Sequence, residues 1–339
     1  MYHRWLDRWD ERRAQLGEEG KTVTNFSLDA TRAYSSDAKL GSLEEFCVFA
    51  DEAVANPAFF DEPEGAGEGF YLQDGWLTFP SEMKTDIEEN NTVYAKVTDS
   101  GARSRALVVF HHWNARSRNM KLARFFSRRG ITVVEIAMPY HLERSRPGSS
   151  HADYMLSANL GRTIQSVRQA VWDGRKLIRW LGNRGYRDIS VLGMSLGSWI
   201  AGLIAAHDLA VSKAALFLTA DSLAEMVWTG RATHSIRESL EPHVDLAYLR
   251  RAWSPLDLAN YAHLLARPGL DLHVVLAKRD KVVIPVLSRR FMLKMESVGA
   301  RPTVMRLDCG HYSLALPPYG LVAGSSLRRF LSGSGKESQ

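Results

Sequence analysis

Ile189-Ser190-Val191-Leu192-Gly193-Met194-Ser195-Leu196-Gly197, running on into small and apolar residues from Trp199 to Ala206, holds a strand, a turn and a helix in one short stretch. The β-branched and aliphatic side chains before the turn predict a buried strand, and the small-residue run after it predicts a closely packed helix. A serine at the junction, with Gly193 and Gly197 on either side, fits a nucleophile elbow. Such a turn strains the backbone at the serine and leaves no room for bulk beside it. The hydroxyl then stands above the end of the sheet at a helix N-terminus, where developing negative charge is favoured.

A serine hydroxyl is a weak nucleophile at neutral pH, so the elbow requires a base, an acid to orient the base, and donors for an oxyanion. Pro302-Thr303-Val304-Met305-Arg306-Leu307 predicts a last strand ending at Asp308-Cys309-Gly310-His311, which makes His311 the candidate base. The preceding strand, Leu272 to Ala277, leads into Lys278-Arg279-Asp280-Lys281, and Asp280 is the candidate acid. An apolar run and Pro285 follow it, as where a loop is held down before a helix begins. Asp221, after the strand Ala214 to Ala220, is the alternative acid one strand earlier, and Asp308 is a third. Leu196 offers one backbone N–H to an oxyanion; the second comes from Trp113 or His112, in His111-His112-Trp113-Asn114 after the strand Ala106 to Phe110. The adjacent histidines do not suggest a metal, because neighbours on a strand point to opposite faces and no further ligand cluster accompanies them. No metal or cofactor is expected.

On these motifs, residues 70–331 resemble the α/β-hydrolase superfamily. His111-His112-Trp113, Met138-Pro139-Tyr140 and the long helix leading to the elbow are similar, more loosely, to the branch called α/β-hydrolase domain-containing protein eighteen. His112 departs from the superfamily, which commonly has glycine there. The resemblance implies an α/β fold with a mostly parallel, twisted sheet of about eight strands flanked by helices. It implies a serine hydrolase that cleaves a carboxylic ester or related acyl bond through an acyl-enzyme on Ser195, with Asp280 and His311 completing a triad. An acyltransferase or thioesterase would use the same residues, and a non-catalytic ligand-binding or interaction protein could keep the same scaffold. The expected partner is a small-molecule acyl substrate.

At 339 residues and 45% hydrophobic content, the chain suits one catalytic domain with additions. Cys47 and Cys309 lie far apart and fit buried thiols rather than a stapled secreted scaffold. The charged stretch Met1 to Trp9 lacks the apolar core of a signal peptide, and no run of about 18 apolar residues occurs. The expectation is a soluble, cytoplasmic protein with no membrane span. Formal charge is +5, with Arg116, Arg118, Arg124, Arg128 and Arg129 clustered after the first oxyanion strand. Lacking a nucleic-acid motif or interleaved aromatics, these fit a solvated helix face, and no nucleic acid is expected. Arg144 and Arg146 are candidates for attracting an anionic substrate.

Residues 1–69 predict an N-terminal helical extension packing on a hydrolase domain over 70–339. Its first helix, within residues 1–20, carries Trp5 and Trp9 one turn apart; this stripe is expected against the core, with a homodimer surface as the alternative. A second helix starts at the capping box Ser42-Leu43-Glu44-Glu45 and shows Leu43, Phe46, Cys47, Ala50 and Val54 on one face. The acidic, glycine-rich stretch Asp61 to Gly69 marks the boundary. Residues 75–98 predict antiparallel strands with a turn around Glu89-Asn90-Asn91, and from 106 onward strands alternate with helices. Ile164, Val167, Val171, Ile178 and Leu181 give the helix before the elbow strand a single buried face. Segments 139–160 and 221–262 interrupt the alternation where ligands bind in open α/β sheets. The second is long enough for an inserted helical cap roofed by Met226, Trp228, Leu240, Tyr248, Trp253 and Tyr261, most of them packing within the cap.

Overall fold

The computed structural model describes residues 2–21, 24–34, 41–63 and 69–333. Its strands are β1 (Tyr71–Gln73), β2 (Trp76–Pro80), β3 (Thr92–Thr98), β4 (Arg105–Phe110), β5 (Thr132–Ile136), β6 (Asp188–Met194), β7 (Val211–Phe217), β8 (Asp271–Ala277) and β9 (Thr303–Leu307). They form one sheet in the order β1-β2-β3-β5-β4-β6-β7-β8-β9. The strands from β1 to β3 run antiparallel, β3 is antiparallel to β5, and β5 through β9 are parallel. Parallel strands are covered on both faces, so their side chains are apolar without alternation. Thus Ala106 to Phe110 are apolar and continuously buried, and Val133 to Ile136 are buried throughout with Glu135 the polar exception. The sheet has nine strands rather than eight because Asp74 and Gly75, both with positive φ, turn a short hairpin that adds β1.

The helices are α1 (Tyr2–Glu18), α2 (Ala30–Ala33), α3 (Leu43–Ala55), α4 (Met120–Ser127), α5 (Leu160–Asn183), α6 (Leu196–His207), α7 (Leu223–Thr229), α8 (His234–Leu240), α9 (Leu246–Ala252), α10 (Ala262–Leu265), α11 (Pro285–Ser297) and α12 (Tyr319–Ser332). Both hydrogen bonds of the Ser42–Glu45 capping box form at the start of α3, and Phe46, Cys47 and Ala50 are buried. Of the acidic stretch before the sheet, residues 64–68 lie outside the described residues. Among the described residues no helix is long and apolar enough to cross a membrane.

Two expectations are corrected. The aromatic stripe of α1 faces outward: Trp5 is 47% and Trp9 36% exposed, while Leu6, Asp10 and Ala14 are buried. The inward face is the acidic one, because its carboxylates find cationic and N–H partners on the body. Arg144 is fully buried; it bonds Asp173 at 2.8 Å and the carbonyls of Asn90 and Ala137. It therefore ties segment 139–160 to α5 and is closed off from a substrate. Arg146 stacks on Tyr154.

Helices α7 to α10 fill the insertion between β7 and β8. Met226, Leu240, Trp253 and Tyr261 are buried within it, Tyr248 is exposed, and Trp228 is half-buried. From β4 the chain moves to β5 on one side and from β6 to β7 on the other, so the carboxyl ends of β4 and β6 meet at a topological switch point.

Candidate active site

Ser195 sits between β6 and α6 with φ 52° and ψ −123°, a conformation rare for a residue with a side chain. Strain of this kind costs on the order of 1–3 kcal/mol and persists only where neighbours enforce it. The enforcement is visible: Ser195 N–H donates to the Phe217 carbonyl at 2.9 Å. A Cβ on Gly193 would collide with the backbone of Gly197, and one on Gly197 with the carbonyl oxygens of Phe110 and His111. That second close approach lays the start of α6 directly against the end of β4. Leu196, the first helical residue, is thereby brought to the loop that carries His112 and Trp113.

The structure places Ser195, His311 and Asp280 in one hydrogen-bonded line. His311 Nε2 is 3.0 Å from Ser195 Oγ, and His311 Nδ1 is 2.8 Å from Asp280 Oδ2. Two backbone bonds extend the β8–β9 ladder past the strands, from Lys278 N–H to Leu307 and from Arg279 N–H to Cys309. They set the acid loop beside the base loop. Asp280 is 4% exposed, and its Oδ1 accepts from Val282 and Val283 N–H at 2.7 and 2.8 Å. One oxygen thus anchors the turn while the other faces the imidazole. A carboxylate only accepts, so the proton on His311 belongs at Nδ1 and leaves Nε2 free to accept from the serine.

Asp221, the alternative acid, is engaged elsewhere: Oδ1 accepts from Ser222 N–H, and Oδ2 pairs with Arg290, which also binds Glu225. Asp308 lies at the surface, 3.5 Å from His3. Among the described residues, none accepts a hydrogen bond from the backbone N–H of Leu196, His112 or Trp113. All three sequence-derived oxyanion donors are therefore unengaged.

Buried histidines brace the loop that holds two of them. His111 Nε2 accepts from Met138 N–H at 3.1 Å, so its proton is on Nδ1 and donates to the His112 carbonyl at 2.9 Å. His141 repeats the logic, accepting from Asn114 N–H and donating to the Pro139 carbonyl. Burial pushes the pKa of His111 down to about 3 and that of His141 well below its ordinary value, so both stay neutral. Trp113 is fixed by its indole N–H on the Ala152 carbonyl at 3.1 Å and by Lys21 over its ring. His112, standing where the resemblance implied glycine, keeps an exposed edge. Crowding by protein, with the charges of His311 and Arg13, pushes its pKa down to about 4.

Sequence reading missed Asp10. This carboxylate, 6% exposed, accepts from Tyr312 N–H at 2.6 Å, Ser313 N–H at 3.0 Å and the Ser313 hydroxyl at 2.6 Å. It caps the turn that begins at His311. On the same helix Asp7 pairs with Arg279 beside the acid, and Glu11 with Arg231 and Lys281. The signal was the spacing of Asp7, Asp10, Glu11 and Glu18 on one face, opposite Tyr2, Trp5 and Trp9. A cleft of about 320 Å³ opens beside Asp280, walled by Trp228, Arg231, His234, Arg237 and Ile284; Ser195 is not among its walls. Among the described residues no cluster of His, Cys, Asp and Glu could hold a metal ion.

Solved structures place this architecture in the α/β-hydrolase fold. Acetyl xylan esterase from Paenibacillus covers 94% of this chain and 98% of its own, at TM-score 0.55 and 14% identity. Acylaminoacyl peptidase from Pyrococcus horikoshii covers 80% of this chain and 43% of its own, at TM-score 0.59 and 10% identity. A puromycin-hydrolysing peptidase of Mycobacterium tuberculosis covers 79% and 42%, at TM-score 0.55 and 15% identity. No family model matches the sequence. An uncharacterised protein of Mycobacterium tuberculosis, found in two strains, is 24% identical over 244 residues, which is 71% of this chain. The chain spans about half the length of these curated relatives, the aligned part being 52% of each.

Proposed function

We propose that this protein is a serine hydrolase that cleaves a carboxylic ester or related acyl bond through an acyl-enzyme. The observation that carries the reading is the line from Ser195 Oγ through the His311 imidazole to Asp280, set at a strained elbow. His311 Nε2 takes the hydroxyl proton as Ser195 Oγ bonds to the acyl carbon. The carbonyl π pair moves to oxygen, and the Leu196 N–H with that of Trp113 or His112 stabilises the charge. Collapse expels the leaving group, which takes the proton from His311. Water, deprotonated by the same imidazole, then releases the acid and restores Ser195. Asp280 orients the ring and stabilises the imidazolium without itself being protonated. Acyl transfer and thioester cleavage use the same steps with another acceptor or leaving group.

A p-nitrophenyl ester tests this. Mixing enzyme with excess ester is expected to release a burst of nitrophenolate equal to the enzyme concentration, then a slower steady phase, as an accumulating acyl-enzyme requires. Hydrolysis that survives intact in Ser195→Ala would contradict the reading.

A further inference from the structure

The charges of α1 are sorted by face. Asp7, Asp10, Glu11 and Glu18 turn inward and bind Arg279, the Tyr312–Ser313 turn, Arg231 with Lys281, and the Ser235 N–H. Arg4, Arg8, Arg12 and Arg13 are exposed, and none has a carboxylate partner among the described residues. Between them stands an uncovered stripe: Tyr2 is 46%, Trp5 47%, Trp9 36% and Leu16 48% exposed. The helix is fastened by its acids, so the stripe is held outward rather than left over. Aromatic rings among arginines on one face of a docked helix match the interfacial region of a bilayer, where rings sit at headgroup depth and cations meet anionic lipid.

We propose that the outward face of α1 docks on an anionic lipid surface. Charge complementarity favours lipid over a second copy of the chain, because a twofold contact would set four unpaired arginines of one copy against four of the other, more than the exposed Glu19 at the end of the helix can offset. Ring geometry favours lipid over nucleic acid. Tyr2 stacks on Trp5 and Trp5 on Trp9, at centroid separations of 6.2 and 5.8 Å, so the rings form one row of mutual contacts rather than separate platforms for successive bases. Docking would hold the His311 loop, which Asp10 caps from the inward side of the helix, one helix diameter (~10 Å) from the membrane. Resting on the proposed hydrolase activity, this makes the natural substrate an acyl ester that partitions to the interface.

Flotation of the full chain with vesicles of phosphatidylcholine alone, or mixed with phosphatidylserine, tests the docking separately from the chemistry. Wild type is expected to float with the anionic vesicles alone and to be released by about 0.5 M salt. Arg4→Gln with Arg8→Gln should weaken partitioning by roughly 30-fold, about fivefold for each arginine. Trp5→Ser with Trp9→Ser should abolish flotation. Both pairs are exposed and should hydrolyse water-soluble p-nitrophenyl acetate at the wild-type rate. Wild type that stays at the bottom, floats equally with neutral vesicles, or floats unchanged in both variants overturns the proposal. So does a dimer in sedimentation velocity, or a retarded single-stranded RNA, that these variants break without any vesicle binding. Loss of ester hydrolysis in wild type with intact flotation would sink the enzymatic reading and leave the docking standing.

Discussion

Asp280→Asn exchanges one carboxylate oxygen for an amide nitrogen, and the structure dictates which. Oδ1 accepts from Val282 and Val283 N–H at 2.7 and 2.8 Å, so that position must keep its oxygen. The amide nitrogen therefore takes the place of Oδ2, 2.8 Å from His311 Nδ1. Only donors stand on that nitrogen, so Nδ1 becomes the acceptor and the ring proton moves to Nε2, where it faces Ser195 Oγ. An imidazole in that tautomer cannot take the serine proton. Flipping the amide instead would set its donors against two backbone N–H groups and forfeit both bonds, about 1 to 3 kcal/mol each. In serine triads the wrong tautomer lowers turnover by about 10,000-fold, or roughly 5 kcal/mol of barrier. The assay is steady-state hydrolysis of a p-nitrophenyl ester, with the second-order rate of fluorophosphonate labelling measured beside it and circular dichroism to confirm the fold. Asp221→Asn is the control: it loosens the Arg290 pair and should lower Tm while leaving turnover within about threefold. An Asp280→Asn enzyme within tenfold of wild type, or an Asp221→Asn enzyme that loses more, would refute this reasoning.

Gly197→Ala forces a methyl group into the Phe110 and His111 carbonyl oxygens, displacing the start of α6; labelling should slow by at least about 100-fold, the cost of one oxyanion donor. Asp10→Ala removes the acceptor of three hydrogen bonds beneath His311, so urea denaturation should show a loss of about 2–4 kcal/mol and kinetics a fall in kcat larger than any change in KM. Asp10→Asn should recover part of both. His111 is held at about 3 in the folded state, well below the ordinary value of a free histidine. As pH falls below about 6.5 the unfolded chain binds a proton that folded His111 refuses, so its contribution is full above that pH and is lost toward pH 3, at roughly 1.4 kcal/mol per unit. Denaturation at pH 7 and pH 5 should show this loss, and His111→Asn should flatten the slope by one proton; equal slopes would refute it.

The elbow was legible because its constraints are local: a strained serine, two positions without room for a side chain, and a strand and helix whose periods change at the turn. That His311 and an aspartate stand at strand ends near Ser195 was readable from the order of strands. Which of Asp280 and Asp221 meets His311 was not, since both follow strands, and what draws Asp221 away is Arg290 arriving from α11. Arg144 was misread for the same reason: its partners Asp173, Asn90 and Ala137 are distant in sequence or on another element. The outward turn of α1 reversed a judgement made on hydrophobicity alone. Its two stripes competed for the body, and the acidic one won because Arg279, Arg231, Lys281 and the free N–H groups after His311 lie there. The β1 hairpin was readable from Asp74-Gly75, a local signal that was passed over.

The central claim is that Ser195 is an activated nucleophile, and intact mass after incubation with a fluorophosphonate tests it without knowledge of the substrate. The account predicts one adduct on wild type and none on Ser195→Ala of equal fold. An adduct that persists on Ser195→Ala, or folded wild type that remains unmodified, would contradict it.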